Sequence, residues 1–274
     1  MMNRFRRLLA RSTPFVVTGM INHPPGSLIY RCNICGRKCV TPIEQLGRET
    51  ASCPGCGSTV RMRSVIYALS RVLFDESLAL PDFPARPDVR VMGLSDWDGY
   101  AIPLARKLGY TNTFYHKDPR LDIASIDPAL ENTLNVLISS DVFEHVAPPV
   151  SLAFQNSFRL LKPGGTLILT VPYTLEAETV EHFPDMYQFE IRSVDHKRVL
   201  YNKTIDGREQ TFENLNFHGG AGETLEMRRF SLDGLTRELK DAGFQKIEIL
   251  STPDFKHGIY AGYRWSLPLT ARKP

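Results

Sequence analysis

NVLISSDVFEHVAPPVSLAFQNSFRLLKPGGTLILTVP, Asn135 to Pro172, decides the fold. It opens with an apolar run, Val136-Leu137-Ile138, that stops at Ser139-Ser140-Asp141 and leads to Glu144-His145. Leu152, Phe154, Phe158 and Leu161 then recur at helical spacing. Lys162-Pro163-Gly164-Gly165 breaks that pattern, and a second apolar run, Thr166 to Val171, ends at Pro172. Strand, helix, turn, strand is the physical reading, with short continuous apolar runs buried on both faces as a parallel sheet requires. The polar residues fall at the carboxyl end of the first strand, where open α/β sheets bind ligands.

The SSDVFEHV strand end and the LKPGG turn resemble the Rossmann-like class I S-adenosylmethionine-dependent methyltransferases, in the type-11-like subgroup. The resemblance extends in weaker form from about Asp88 to the C-terminus. It implies an α/β fold with a mostly parallel sheet and an antiparallel last strand, and S-adenosyl-L-methionine as cofactor. Periodicity alone supports only a nucleotide-type α/β fold.

The chain of 274 residues suits one ordinary domain plus a small module. At 42% hydrophobic and 23% charged it has the composition of a globular protein with a sizeable core. A net charge of +3 makes no electrostatic case for nucleic acid or membrane. No apolar run approaches the ~18 residues that a membrane span needs. The N-terminal stretch, residues 1–28, has a basic start and only an interrupted apolar segment; it is expected as an arm rather than a signal peptide, and the compartment as cytoplasmic.

Four cysteines form two knuckles, Cys32-x-x-Cys35-Gly36 and Cys53-Pro54-Gly55-Cys56-Gly57, separated by seventeen residues. A glycine follows the second cysteine of each, where a tight turn favours a residue without Cβ. Cys32, Cys35, Cys53 and Cys56 therefore suggest a closed tetrahedral zinc site in a ribbon spanning 29–60, a structural site without an open position for chemistry. Two disulfides are the alternative, disfavoured in a cytosolic chain. Cys39 is expected as a free thiol on the strand leaving the first knuckle. Arg37, Lys38, Arg48, Arg61 and Arg63 lie on or near the ribbon, which admits RNA binding, but Glu44 and Glu49 interrupt them and no aromatic residues are interleaved for stacking. An amphipathic helix follows, with Ser58 as N-cap and Met62, Val65, Ile66, Leu69 and Leu73 on one face. CPGCGSTVRMR before that helix resembles the front end of bacterial zinc-ribbon methyltransferases. Residues 61–87 are expected as connecting helix and linker, and 88–274 as the methyltransferase domain with a substrate or lid insertion over about 173–230.

Val89 to Gly93 should be the first strand of the sheet, followed by a turn at Leu94–Gly99 and a helix from Tyr100. The family places an acid two residues before its first glycine and then G-x-G-x-G. Here Val91 takes the acid's place, and Ser95 and Trp97 stand at the later glycines, leaving Gly93 with Gly99 nearby. The resemblance places Gly93, Ser95, Asp96 and Gly99 at the cofactor, with backbone approaching at Gly93 and the following helix N-terminus favouring negative charge. Thr111 to His116 should be the second strand; a carboxylate past it can hold ribose hydroxyls, for which Asp118 is the nearest candidate, and Asp122-Ile123 resembles the family's adenine contact. Ser140 and Asp141 would border the donor's methionine portion, with Glu144 and His145 opening the next helix.

Between Pro172 and Ser231 the simple βα rhythm stops. Asp206-Gly207 between alternating runs signals a hairpin, and polar aromatic clusters flank it at Glu181–Pro184, Asp195-His196 and Phe217–Gly220. Methyl transfer needs in-line alignment and, for a hydroxyl acceptor, a base near neutral pKa, a role suited to histidine. His218 is the first candidate, then His182, with His145 and Asp141 as further catalytic candidates and Arg228 as a clamp on an anionic substrate. Ser231 should cap a helix closed by Gly243, before two final strands, Phe244 to Leu250 and a last one from Arg264. The expected activity is methyl transfer to a small-molecule or saccharide acceptor. The alternatives are an RNA methyltransferase, for which nucleic acid is admitted but not favoured, and a non-catalytic binding protein suggested by the eroded glycine motif.

Overall fold

The computed structural model describes residues 26–218, 224–260, 262 and 265–274. The expected N-terminal arm lies almost wholly outside the described residues, as do the glycine run after His218 and that histidine's side chain.

The ribbon is a hairpin of β1 (Ser27–Arg31) and β2 (Lys38–Pro42), and its knuckles fold back on themselves. Gly36 N donates to Cys32 O at 2.9 Å and Gly57 N to Cys53 O at 2.8 Å. Both glycines sit at positive φ, +78° and +74°, which a side chain would strain. Helix α1 (Val60–Phe74) is capped by Thr59, not Ser58: the Thr59 hydroxyl accepts from Met62 N at 3.4 Å. Ser58 is buried against the knuckle instead, its Oγ 3.4 Å from Cys32 Sγ. Val65, Ile66 and Leu69 of α1 pack in one apolar cluster with Val136, Ile138 and Ile168 of the main sheet. The expected connecting helix is thus one of the layers that cover the sheet.

The main sheet contains β3 (Arg86–Leu94), β4 (Leu108–Thr113), β5 (Leu134–Ser140) and β6 (Leu161–Thr170), all parallel. Two C-terminal strands complete it, ordered last–β6–β5–β3–β4 from the C-terminal edge, with the final strand antiparallel to β6. Central β5 carries Val136, Leu137 and Ile138 with no exposure, which explains its unbroken apolar run. Helix α2 (Asp98–Ala105) joins α1 on one face; α3 (Ser151–Leu160) covers the other. The LKPGG segment differs from the expected free turn. It is the first half of β6, and a register shift between Leu134 and Val136 absorbs it. β4 ends at Thr113, three residues before the expected His116, so Asp118 lies well past the strand in an exposed loop.

After β6 the chain builds a lid from short pieces: β7 (Tyr173–Thr174), β8 (Val180–Glu181), β9 (Gln188–Val194), β10 (Lys197–Lys203), β11 (Glu209–Phe212), β12 (Phe217–His218), β13 (Thr224–Leu225) and β14 (Arg228–Ser231). The hairpin at Asp206-Gly207 forms as expected, with Gly207 at φ +87° joining β10 to β11. Asp195 and His196 are a second such turn: both have positive φ and close β9 onto β10, so this pair makes the hairpin rather than a site. Phe183, Leu200, Leu225 and Met227 give the lid its own small core. Ser231 caps α4 (Leu232–Asp241) through a 2.9 Å bond from Gly234 N. β15 (Gln245–Ile249) and β16 (Leu269–Arg272) then close the sheet; β16 is shorter than the strand expected from Arg264 because Pro268 precedes it. Among the described residues no helix is long and apolar enough to cross a membrane.

Candidate active site and metal centre

The carboxyl ends of β3, β5 and β6 meet three other parts of the chain: the ribbon, the lid and the loop before β16. Asp141, directly after β5 and at φ +55°, is the junction. Arg48 of the ribbon grips it with two bonds, Nη1 to Oδ2 at 2.8 Å and Nη2 to Oδ1 at 2.6 Å. Arg61, in the first turn of α1, approaches the same carboxylate at 3.1 Å and donates to Ser140 Oγ at 2.6 Å. Thr170 at the end of β6 adds a hydroxyl bond of 3.0 Å, and Glu49 holds both arginines. Burial alone would raise the Asp141 pKa, but the two guanidiniums and the Thr170 hydroxyl outweigh it and keep the carboxyl below its ordinary value. So engaged, Asp141 is a weak proton acceptor and a strong anchor.

Arg48, Arg61 and Arg63 are therefore not a basic surface. Arg63 is fully buried; it donates to Ser58 O, Ser52 Oγ and Gly258 O at 2.9 Å each and lies over the Tyr30 ring. Of the five basic residues that admitted RNA, these three face inward, whereas Arg37 and Lys38 are exposed.

β3 runs one residue past the expected end at Gly93, to Leu94, and the space above Gly93 is filled. A Cβ added there would fall on the Asp96 carboxylate and the Tyr110 hydroxyl. Tyr100 and Tyr110 donate to Asp96 Oδ1 and Oδ2 at 2.7 and 2.8 Å. Burial pushes the Asp96 pKa up to about 7, against the two tyrosine bonds and Arg61, which lower it. Ser95 sits at positive φ and bonds Thr113 O through its N–H, and Gly99 lies under the Trp97 ring in the first turn of α2. S-adenosylmethionine carries an ammonium, a carboxylate and a sulfonium. The strand ends offer acids (Asp96, Asp141) and cations (Arg48, Arg61) that match those charges. Close approach at Gly93 requires the Asp96 and Tyr110 side chains to turn aside.

The adenine candidates lie apart from this cluster. Asp122 accepts from Ala124 N at 2.9 Å and so closes its own turn, and Ile123 is buried, its carbonyl held by Asn156 Nδ2 at 2.9 Å.

A seam joins lid to strand end through Leu225, Met227 and Arg228, while Glu226 bonds within the lid. Leu225 O meets His145 Nδ1 at 3.0 Å; Glu226 meets His182 Nε2 at 2.9 Å. Met227 N donates to Glu144 O at 2.8 Å, and Met227 O accepts from His182 N at 2.9 Å. Arg228, fully buried, donates to Phe143 O, Val146 O and Glu181 at 3.1, 2.5 and 2.7 Å. The expected substrate clamp thus also staples lid to turn: its Nε and Nη1 are taken by a lid carboxylate and two carbonyls, while its buried Nη2 has no hydrogen-bond partner. Glu144 is buried, its pKa raised well above the ordinary value by burial and by neighbouring Asp141, and its Oε2 has no hydrogen-bond partner. Periodicity missed the roles of Arg48, Tyr100, Tyr110 and Glu144. The R-x-R after the second knuckle was the one visible signal for the arginines.

The four knuckle sulfurs, Cys32, Cys35, Cys53 and Cys56, lie within 4.8 Å of one another. Cys32–Cys56 and Cys35–Cys53 are 3.7 and 3.6 Å apart. Tetrahedral Zn–S bonds of about 2.3 Å would separate sulfurs by about 3.8 Å. The set fits zinc and is not disulfide-bonded. Cys39, buried on β2, puts a fifth sulfur 3.7 Å from Cys53 Sγ.

Residues 89–169 match the family model described as a methyltransferase domain. No match was found among curated proteins. Among solved structures the chain is similar to the 1,6-didemethyltoxoflavin-N1-methyltransferase of Burkholderia thailandensis, at 16% identity over 77% of each chain with a TM-score of 0.43. It is also similar to an S-adenosylmethionine-dependent methyltransferase of Clostridium acetobutylicum, at 12% identity over 79% of this chain and 92% of that one, TM-score 0.45. A third is an amino pentose methyltransferase of Micromonospora echinaspora, at 14% identity over 80% and 93%, TM-score 0.42.

Asp96 supplies a prediction. Its folded pKa of about 7 exceeds the unfolded value near 3.8, so the unfolded chain loses this proton first and stability from this group falls as pH rises between those values. Asp96→Asn removes that dependence. Urea unfolding of the two proteins from pH 4.5 to 7 should show the variant gaining on the wild type by about 1.4 kcal/mol per pH unit; parallel curves would refute the burial argument.

Proposed function

We propose that this chain, whose residues 89–169 match a methyltransferase domain, is a class I S-adenosylmethionine-dependent enzyme that transfers the donor's methyl group to a small-molecule or carbohydrate-type acceptor held between ribbon and lid. The single observation that carries this reading is the convergence of both modules on one turn. Ribbon arginines hold Asp141 from one side, while the lid residues Leu225–Arg228 hold Phe143–Val146 from the other. A site enclosed in this way suits a small acceptor better than a folded RNA, and the inward-facing arginines leave little basic surface for a phosphate backbone.

When bound, S-adenosylmethionine supplies an electrophilic methyl on sulfur. The chain's part is alignment and proton removal. Arg61 and Arg48 are the groups suited to the donor's carboxylate, exchanging Asp141 or Glu49 for it. Gly93, Ser95, Gly99, Asp118, Asp122, Ile123 and Ser140 remain the other proposed cofactor contacts. His182 is the best-supported base: its ring is about one third exposed, and Glu226 orients it at 2.9 Å. His145 comes second, its Nδ1 committed to Leu225 O. His218, on β12 in the same lid, remains a candidate by position in the chain. We further propose that Cys32, Cys35, Cys53 and Cys56 bind one structural zinc, which shapes the loop that carries Arg48.

The filled space over Gly93 favours a second reading, a non-catalytic protein that has closed its cofactor cleft. Calorimetric titration with S-adenosylmethionine and S-adenosylhomocysteine separates the two. Micromolar binding, worth about 8 kcal/mol, weakened at least tenfold by Arg61→Ala, is expected; no heat from either ligand would sink the enzyme reading. Once an acceptor is found by screening for S-adenosylhomocysteine release, His182→Gln should lower kcat roughly 100-fold or more at unchanged cofactor affinity. Metal analysis should return one zinc per chain in the wild type and a marked loss in Cys56→Ala; a metal-free, fully folded wild type would exclude the zinc.

A further inference from the structure

The lid carries an edge that no strand among the described residues pairs with. β9, QFEIRSV from Gln188 to Val194, is the outer strand of the three-stranded sheet β11–β10–β9, and all seven of its residues are exposed. Its pairing with β10 runs without a bulge from Lys197↔Val194 to Lys203↔Gln188. It contains no proline and no lysine, the usual means of blunting an edge strand.

Its two faces differ. Glu190 and Arg192 form an ion pair with each other, and Arg192 lies over the Tyr201 ring, so these charges share one face. Phe189 and Ile191 take the opposite face, at 39% and 41% exposure. Ile191 stands in register with Leu200, which is fully buried in the lid core beside Phe183 and Met227. The apolar core of the lid thus continues outward to Ile191 and ends there in solvent.

We infer that β9 is a self-association surface, pairing antiparallel with β9 of a second copy about a two-fold axis through Ile191. In that register Glu190 faces the partner's Arg192 and Arg192 faces the partner's Glu190, so each ion pair within a strand becomes a four-charge alternating array. On the other face Ile191 meets its own symmetry mate, flanked diagonally by both Phe189 rings. The remaining pairs, Phe189 opposite Ser193 and Gln188 opposite Val194, bring no like charges together. A self-complementary patch of this kind closes as a two-fold dimer and leaves no further free surface of the same sort. The strand's sequence is what selects a second copy over an unrelated strand: its charges are antisymmetric about its centre.

Sedimentation velocity on the zinc-replete full chain up to about 100 µM tests this. A concentration-dependent monomer–dimer equilibrium is expected. Glu190→Arg sets arginine against arginine twice and should weaken the dimer by roughly tenfold or more. Combining it with Arg192→Glu restores opposite charges in every pair and should return the dissociation constant to within about threefold of the wild type. Both substitutions are on exposed side chains, and circular dichroism melting would verify that the fold is kept. A chain monomeric throughout, a dimer indifferent to Glu190→Arg, or a double variant no better than the single one would each overturn the inference.

Discussion

The ion network on Asp141 is the interaction on which the arrangement of this protein depends. It joins residues 93 positions apart, Arg48 and Asp141, at a point where ribbon, α1 and the strand ends meet. Taking two guanidiniums and a carboxylate out of water is costly, and it is offset here because nearly every charge has more than one partner: Glu49 serves both arginines, while Ser140 and Thr170 supply hydroxyls. A partly desolvated network of this kind contributes more to fixing geometry than to net stability. Removing one member would leave the others buried and uncompensated. The position of the ribbon over the strand ends is thus specified chemically, with apolar packing between Val60, Val65 and the sheet filling the space behind it.

The same network reaches the glycine turn. Arg61 lowers the Asp96 pKa, and Asp96 draws Tyr100 and Tyr110 over Gly93. Two hydroxyl donors on a buried carboxyl satisfy it in the absence of any ligand, a stable way to close a cleft that would otherwise leave a carboxylate unpaired. A ligand entering at Gly93 must replace those bonds, so its net affinity is the difference between the contacts it makes and the contacts it displaces. The loss of the later glycines at Ser95 and Trp97 has the same physical origin. Once side chains fill the turn, the backbone no longer has to be bare throughout.

What could be read from the sequence was local. The apolar runs of β5 and β6, the cap at Ser231 and the turn at Gly207 follow from neighbouring residues, and the structure forms each of them. The knuckles are legible for the same reason, since a fixed short spacing determines where two sulfurs point. Asp195-His196 was misread as a polar cluster because two non-glycine residues at positive φ carry a weak turn signal; the hairpin forms through its long pairing with β10. The end of β4 was misplaced by three residues because Phe114 and Tyr115 prolong the β-type pattern after the pairing stops. Arg48 and Arg228 were unreadable for a different reason. Their partners are backbone carbonyls and a carboxylate far along the chain, and no periodicity encodes such pairs.

Arg228 and Arg48 also show how one turn can be held by two independent modules. Phe143 O closes the 3-10 turn by accepting from Val146 N and Val146 O points out of it, and Arg228 of the lid donates to both carbonyls. Asp141 offers a carboxylate that β5 does not use, and Arg48 of the ribbon takes it. Glu144 lies between them with one oxygen unpartnered, its pKa raised well above the ordinary value by burial and by the Asp141 charge beside it. A neutral carboxylic acid can donate a hydrogen bond where an ionised one cannot. The turn thus carries a buried carboxyl between the contacts of the lid and those of the ribbon. Lid and ribbon therefore meet at one turn, Arg228 binding its backbone and Arg48 its leading carboxylate.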